Sequence, residues 1–118
     1  MPTERIEPMH MVERRRGLSG SEQVRTRDLA LGEWSLTEAA FTDRHQHEEI
    51  NYVFDGELHV TWDGVTHVAG PHSIVVVPPG ALARYEAPMH ARMLYIYGPS
   101  QDGHAATDVE FEDLRPGD

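Results

Sequence analysis

The stretch that decides the fold is residues 43–56, which read DRHQHEEINYVFDG. Its polar side chains fall on alternate positions, at His45, His47, Glu49 and Asn51. Its apolar side chains fall on the positions between them, at Ile50, Tyr52 and Phe54. Successive side chains of a β-strand point to opposite faces, so this alternation predicts a strand with one polar and one apolar face.

Similar short segments rich in Val, Ile and aromatic residues occur on both sides of this stretch, separated by turn signals. Strands are predicted at residues 33–41, 49–54, 57–62, 65–68, 74–77, 82–86 and 91–97, with a short helix as the alternative at 38–40. The Asp-Gly pairs at 55–56 and 63–64 are hairpin signals and predict an antiparallel meander. The apolar run at 74–77 predicts a strand buried on both faces, and residues 87–90 read as a turn. The predicted fold class is all-β, a small barrel or sandwich.

The length of 118 residues suits one domain. The predicted organisation is an N-terminal arm with a first strand at residues 1–30, a barrel at 31–100 and an acidic C-terminal tail at 101–118. The tail has six acidic residues against one arginine, so it is expected to be disordered or laid loosely on the surface. Val109, Phe111 and Leu114 are the side chains that could fix part of it.

Composition excludes several classes of function. Twenty acidic and ten basic residues give a net charge of −10, which argues against nucleic acid as a partner. The absence of cysteine excludes disulfides, thiolate metal sites and a cysteine nucleophile. All ten basic residues are arginine, so a Schiff-base lysine is excluded as well. No apolar run suits a signal peptide or a membrane span, so a cytoplasmic location without membrane contact is expected.

The histidines of the 43–56 stretch are candidate metal ligands. On a strand, His45 and His47 would lie roughly 6.6 Å apart on one face, close enough to share an ion, and Glu49 would add a carboxylate. Two histidines and one carboxylate suit Fe(II), and less selectively Mn, Ni or Zn. The alternative is a histidine-rich strand that simply faces solvent.

Two motifs in this order resemble the cupin family. Residues 45–49, HQHEE, followed by six residues and Gly56, resemble the first cupin motif, and the segment from Gly70 to the Pro-Pro-Gly at 78–80 resembles the second. The resemblance covers roughly residues 31–97. It implies a single double-stranded β-helix barrel of the jelly-roll type, usually dimeric, with a ligand pocket inside.

The chain departs from the cupin pattern at two places. The glutamate follows the second histidine too closely, so the first motif aligns either with His45 and His47 as ligands or with Asp43 and His45 in their place. The second motif should supply a histidine where this chain has Ala83. Tyr85, two positions further along the same face, and His90 are the candidates to replace it.

The closing segment is similar to ethanolamine-utilisation cupins. The similarity lies in residues 79–85, Pro88, residues 91–97 and Pro99. Those barrels characteristically lack the full histidine set, so this likeness implies reduced or absent metal binding.

Three functions follow as hypotheses. The first is a metal-dependent cupin enzyme of isomerase, cyclase, lyase or dioxygenase type, acting on a small polar or carboxylate metabolite, with Tyr85 or His90 moving a proton. The second is a metal-free module that binds a small molecule in a polar pocket containing Asn51. The third is a metal-free enzyme in which a histidine and a tyrosine share the proton transfers. A homodimer is expected in each case, because the apolar face of Ile50, Tyr52 and Phe54 needs cover.

Overall fold

A computed structural model describes residues 9–98 and 106–116, and this part of the chain forms strands joined by turns. The ten strands are β1 (Val12–Arg15), β2 (Leu18–Gly20), β3 (Val24–Arg25), β4 (Ala30–Arg44), β5 (Glu48–Gly56), β6 (Leu58–Trp62), β7 (Val65–Ala69), β8 (Ile74–Val77), β9 (Leu82–Gly98) and β10 (Thr107–Asp113). No helix in the described residues is long and apolar enough to cross a membrane.

Two long strands organise the barrel. β4 and β9 pair antiparallel along nearly their whole lengths, from Ala30 opposite Tyr97 to Arg44 opposite Leu82. One half of this pair is flanked by β10 on one side and by β6 and β7 on the other. The other half is flanked by β1, β2 and β3 on one side and by β5 and β8 on the other. The chain is therefore an all-β jelly-roll barrel, which confirms the predicted fold class.

Only the second Asp-Gly pair closes a hairpin as predicted. Asp63 and Gly64 both have positive φ, 51° and 74°, and join the paired strands β6 and β7. The hairpin predicted at residues 55–56 is wrong, because β5 and β6 both pair with β9 rather than with each other. Gly56 has a φ of 82°, and a Cβ there would lie 2.0 Å from the His90 carbonyl oxygen. Glycine therefore allows the kink by which the chain passes from one side of the barrel to the other.

The predicted turn at residues 87–90 is also wrong. β9 is one continuous strand of 17 residues, and His90 pairs with Thr37 within it. Pro88 cannot donate a ladder hydrogen bond, but it lies where the β4–β9 register shifts between Thr37 and Ala39. A bulge in β9, with Pro88 and Met89 opposite the single residue Glu38, thus accommodates a proline that reads in the sequence as a strand break.

The third correction concerns β8, whose apolar run predicts burial on both faces. Val75 and Val77 are buried, whereas Ile74 and Val76 are 60% and 42% exposed. Within the described residues β8 pairs with β5 alone, so it has one packed face and one open face.

A β-bulge opposite Glu38 places the functional site. Two residues of β9, Pro88 and Met89, lie opposite the single residue Glu38, which takes a φ of 47°, so residues 38–40 belong to strand β4 and not to a short helix. Before the bulge, even-numbered residues such as Trp34 and Leu36 face the interior, and after it odd-numbered ones do. Phe41 and Asp43 consequently share the inner face with Trp34, although their spacing along an unbroken strand would put them on the other side.

Part of the C-terminal segment is ordered as β10, which pairs with β4 from Thr107 to Asp113. Three ion pairs attach it, Arg44 to Asp108 at 3.2 Å, Arg84 to Glu112 at 2.7 Å and Arg16 to Asp113 at 3.5 Å. The Phe111 side chain packs against the core cluster, as its apolar character in an acidic segment indicates. The domain boundaries at residues 30 and 100 stay a prediction.

Candidate functional site

A cavity of about 380 Å³ opens at one end of the barrel. Its aromatic lining consists of Trp34, Phe41, Tyr85, Tyr95 and Tyr97, and its other lining residues are Gln23, Arg25, Asp43, His45, Glu49 and Ala106. A concave, mostly apolar pocket of this size with a few converging polar groups is typical of small-molecule sites.

The polar groups of the cavity come from separate elements that the barrel brings together. Asp43 lies near the end of β4, Glu49 near the start of β5 and Tyr85 in the first half of β9. His45 lies in the turn between β4 and β5, where its carbonyl accepts a hydrogen bond of 2.7 Å from the Gly80 N–H. The backbone of the β8–β9 turn thus fixes the histidine relative to the strands.

His45 lies between two buried carboxylates. Its Nε2 is 3.0 Å from Oδ2 of Asp43 and 3.3 Å from Oε2 of Glu49. The other oxygen of Glu49, Oε1, accepts a hydrogen bond of 2.5 Å from the Tyr85 hydroxyl. Asp43, His45, Glu49 and Tyr85 therefore form one hydrogen-bonded chain, called here the carboxylate–histidine network.

Asn51 supports this network from behind. Trp34 Nε1 donates a hydrogen bond of 2.8 Å to Asn51 Oδ1, and Asn51 Nδ2 donates one of 3.3 Å to Glu49 Oε1. Asn51 is fully buried and is not among the cavity-lining residues. The residue predicted to line a polar pocket thus orients the Glu49 carboxylate instead of facing the cavity.

Burial and charge act together on the acid–base groups. Burial by itself would lower the pKa of His45, but the hydrogen bond to Asp43 and the negative charges of Glu49 and Asp43 outweigh it and raise that pKa above 6.5. Burial raises the pKa of Glu49 above 4.5, although His45 and the Tyr85 hydroxyl act in the opposite direction. Burial, and next the neighbouring Glu49, raise the pKa of Tyr85 far above 10, so its phenol stays protonated. The raised pKa values favour the protonated forms of His45 and Tyr85.

Tyr97 connects the network to the cavity mouth. Its ring lies 5.0 Å from that of His45 and stacks at 5.4 Å on His47 and at 6.0 Å on Tyr95, between ring centroids. The Gln23 side chain donates a hydrogen bond of 2.6 Å to the Tyr97 hydroxyl. His47 is therefore buried against an aromatic ring and is not among the residues that line the cavity.

The residues present do not fit a metal ion. Within residues 9–98 and 106–116, no three histidine, aspartate or glutamate side chains are arranged to hold one. Of the predicted ligand set, His45 and Glu49 contact each other as an ion pair at 3.3 Å, while His47 packs on Tyr97. Ala83, which replaces the family's second-motif histidine, pairs with Asp43 across the β4–β9 ladder and offers no ligand.

Of the two predicted proton-transfer residues, the barrel brings one to the cavity. Tyr85 lines it and binds Glu49. The side chain of His90 is 47% exposed, lies 2.9 Å from the Thr37 hydroxyl and 3.3 Å from an Asp55 oxygen, and does not line the cavity. Because β9 is continuous, residue 90 falls on the outer face and residue 85 on the inner face.

Sequence reasoning missed the aromatic lining. Tyr95 and Tyr97 share the odd-numbered face of β9 with Tyr85, a signal that becomes readable once residues 82–98 are treated as one strand. Gln23 reaches the cavity from the turn before β3, and no pattern in the sequence indicates this.

Comparison with known proteins gives a consistent result. The family model described as "Ethanolamine utilisation protein EutQ" matches residues 6–102. A protein of Clostridioides difficile strain 630 named "Acetate kinase EutQ" is 29% identical over 72 residues, 61% of this chain and 46% of that protein. The chain thus spans less than half the length of this relative.

Solved structures agree with the fold. The EutQ protein of Clostridium difficile is 25% identical with a TM-score of 0.64, over 70% of this chain and 68% of the other. An RmlC-like cupin from Shewanella frigidimarina is 20% identical with a TM-score of 0.69, over 80% of this chain and 87% of the other. The expected resemblance to small cupins, and to the ethanolamine-utilisation type among them, is confirmed.

Proposed function

The chain belongs to the EutQ family of cupins, and we propose that its barrel cavity binds a small polar metabolite and exchanges a proton with it without a metal ion. The observation that carries the proposal is the position of His45 Nε2, at 3.0 and 3.3 Å from two buried carboxylates inside an aromatic cavity. A histidine oriented by a carboxylate is the common arrangement for general acid–base catalysis.

In this proposal His45 Nε2 donates its proton to the ligand oxygen and, once neutral, takes a proton from the neighbouring ligand carbon, so the ligand passes through its enol and His45 regains its charge. A ligand carbonyl or hydroxyl entering beside Asp43 accepts the His45 N–H in place of the Asp43 oxygen. Glu49 remains on the other side of Nε2 and stabilises the positively charged imidazole. The raised pKa of His45 favours its protonated form, from which a ligand group can accept the proton.

Tyr85 and Asn51 act in this scheme as positioning residues. Both donate hydrogen bonds to Oε1 of Glu49, which leaves Oε2 directed at His45. The phenol stays protonated, so it serves as a fixed donor and not as a base. Its role differs from the proton-transfer role that the sequence predicts for Tyr85.

Solvent deuterium exchange tests this function. A panel of small aldehydes, ketones and hydroxy-ketones is incubated with the protein in D2O, and loss of the proton next to the carbonyl is followed by proton NMR. We expect exchange of at least one member to be accelerated by the wild type and by His90→Ala, and to fall to the uncatalysed rate in His45→Ala. Equal acceleration by His45→Ala would overturn the assignment of His45.

The second candidate function is the metal-dependent one expected from the sequence, in which His45, His47 and Glu49 hold Fe, Mn, Ni or Zn. What favours it is the chemistry of the side chains alone, because Asp43, His45 and Glu49 carry the carboxylate and imidazole groups that these ions take; their direct contacts with one another would have to open to admit an ion. Elemental analysis of untagged protein, compared with the His45→Ala, His47→Ala double variant, separates the two. Near-stoichiometric metal that is lost in the double variant would favour the metal site.

The activity in the relative's name is a poor match to this cavity. Phosphoryl transfer needs cations placed around the transferred group. The cavity lining contributes Asp43 and Glu49, and its arginine, Arg25, is exposed. We therefore propose that the barrel of this chain binds a small molecule, and we do not propose the kinase reaction for it.

The proposal includes a cytoplasmic homodimer that binds neither nucleic acid nor membrane. The net charge of −10 supports the exclusion of nucleic acid. The outer faces of β5 and β8 carry apolar side chains that are open to solvent in the single chain, and a second copy of the chain would cover them.

A further inference from the structure

We infer that the ligand of the cavity is a small organic cation, an amine or a quaternary ammonium compound, and this inference rests on the proposed function of the same site. The sequence leaves a carboxylate metabolite as the expected ligand class. The lining of the cavity points to the opposite charge.

Five aromatic side chains line the cavity. Trp34 packs edge-on against Phe41 and Tyr85, with ring centroids 5.9 and 5.4 Å apart. Tyr95 and Tyr97 stack nearly parallel, with an interplanar angle of 13°. Aromatic rings attract cations through the negative charge of their faces, and cages of such rings are the usual sites for ammonium ligands.

The polar groups at the floor are mainly acceptors. Asp43 and Glu49 are 5% and 6% exposed, and the positive group among them, His45, already lies between their oxygens. Asp43 contacts His45 through Oδ2 and contributes its carboxylate to the cavity lining. An ammonium group would find both a carboxylate partner and aromatic rings here.

A carboxylate ligand would meet repulsion at the same place. Two buried carboxylates act on it at low local dielectric, where charges interact strongly, and the single positive charge of His45 offsets only one of them. Arg25 also lines the cavity, but it is exposed on the short strand β3, so solvent and salt weaken its attraction. The buried acidic groups therefore outweigh the exposed basic one.

Three probes of nearly equal shape and different charge test the ligand class. Choline is the cation, 3,3-dimethyl-1-butanol is its neutral isostere with carbon in place of nitrogen, and 3,3-dimethylbutyrate is an anion of similar size. Their binding is measured by isothermal titration calorimetry and by the fluorescence of Trp34 in a Trp62→Phe background. Trp34 lines the cavity and Trp62 does not.

We expect choline to bind about tenfold or more tightly than the alcohol, and the butyrate more weakly than both. Asp43→Asn should reduce the preference for choline over the alcohol, whereas Asp63→Asn, an exposed change in the β6–β7 turn, should not. Tyr97→Leu should weaken choline binding more than Tyr97→Phe, which keeps the aromatic face. The phenylalanine variant also controls for loss of folding.

Equal or tighter binding of the alcohol or the butyrate, or no saturable binding of choline up to tens of millimolar, would overturn the inference. Such a failure is distinguishable from failure of the proposed function. The deuterium-exchange experiment depends on His45 and uses uncharged carbonyl compounds, so its outcome does not depend on the charge of these probes.

Discussion

At the scale of single residues, the site depends on where His45 and Glu49 keep their protons. The folded protein raises the pKa of both groups above their ordinary values of 6.5 and 4.5. The native state therefore binds more protons than the unfolded state over a range of pH that begins near 4.5 and extends above 6.5. A buried network of this kind connects ligand chemistry directly to stability.

The first prediction concerns the pH dependence of stability. The contribution of His45 is fully present below its unfolded pKa of about 6.5 and is lost as the pH rises through its higher folded value. The free energy of unfolding from urea titrations should therefore decrease across this range in the wild type and decrease less in His45→Gln. His59→Gln, which removes a histidine paired with Glu57 outside the cavity, is the matched control. An unchanged slope in His45→Gln would contradict the electrostatic account.

The second prediction concerns the hydroxyl of Tyr85. This side chain is 1% exposed, and its hydroxyl donates to Glu49 at 2.5 Å. Tyr85→Phe keeps the ring and leaves a buried carboxylate oxygen short of a donor, so it should lower the free energy of unfolding by about 1–3 kcal/mol. Tyr52→Phe, which removes a more exposed hydroxyl that contacts His72, should cost less than this. A smaller loss for Tyr85→Phe than for Tyr52→Phe would argue against the network.

At the scale of elements, the bulge opposite Glu38 and the kink at Gly56 give the barrel its shape. The bulge at Glu38 turns Asp43 toward the cavity. The kink lets β5 and β6 share β9 as a partner, end to end. Both rest on residues with positive φ, which makes them testable by substitution.

Replacing Glu38 with glycine should stabilise the protein, because glycine adopts a positive φ at little cost. Glu38 has a φ of 47°, a conformation that costs a side-chain-bearing residue roughly 1 kcal/mol relative to glycine. Glu38→Gly should therefore raise the free energy of unfolding by up to about 1 kcal/mol, despite the loss of the 3.8 Å contact with Arg115. Thr37→Gly, at the neighbouring strand position, should lower it. Destabilisation by Glu38→Gly as large as that by Thr37→Gly would contradict this reading of the bulge.

The kink should tolerate no side chain. In Gly56→Ala the new Cβ would lie 2.0 Å from the His90 carbonyl oxygen and 2.7 Å from its carbon, and both atoms belong to backbone. We expect thermal unfolding to show a loss of more than about 2 kcal/mol. Gly64→Ala has a similar φ but meets nothing within 4 Å, so it isolates the cost of the dihedral angle. Equal losses in the two variants would show that the close approach to β9 is unimportant.

These two features also explain how far the sequence predicts the structure. The alternation at residues 43–56 and the cupin motifs are local signals. They identify the fold class and the stretch of sequence that supplies His45 and Glu49 to the cavity. The bulge at Glu38 has no glycine to mark it, and a single residue there reverses which face Asp43 occupies. The Asp-Gly pair at 55–56 predicts a hairpin because a local sequence pattern contains no information about the close approach of Gly56 to the backbone of His90, which is distant in the sequence. The residue types of the site could be predicted from the sequence. The way their side chains come together depends on the register between β4 and β9, which the sequence does not show.

At the scale of the whole molecule, one outer face of the barrel remains apolar. Across β8, β5 and β9 the ladder places Val76 beside Ile50 and Ile50 beside Ile96, and it places Ile74 beside Tyr52. Ile74 and Val76 are more than 40% exposed in the single chain. An apolar face shared by three strands is typical of a protein interface.

The prediction at this scale is a homodimer through that face. Sedimentation equilibrium should give twice the mass of the chain, which is 13.3 kDa. Val76→Arg should shift the protein toward the monomer. The same surface patch of both subunits forms an isologous interface, so the substitution would place a charged arginine of each subunit against the apolar face of the other. Val68→Arg changes a 61% exposed valine of β7, outside the apolar face, and should leave the mass unchanged. A monomeric wild type would contradict the prediction.

The most direct test of the central claim is a nitrogen-15 NMR titration of the His45 imidazole. The carboxylate–histidine network predicts a pKa above 6.5 in the wild type, a lower value in Glu49→Gln, and no change in Glu48→Gln, where the neighbouring carboxylate is exposed. A His45 pKa at or below 6.5 that does not respond to Glu49→Gln would contradict the account, because the histidine would then not share its proton with the buried carboxylates.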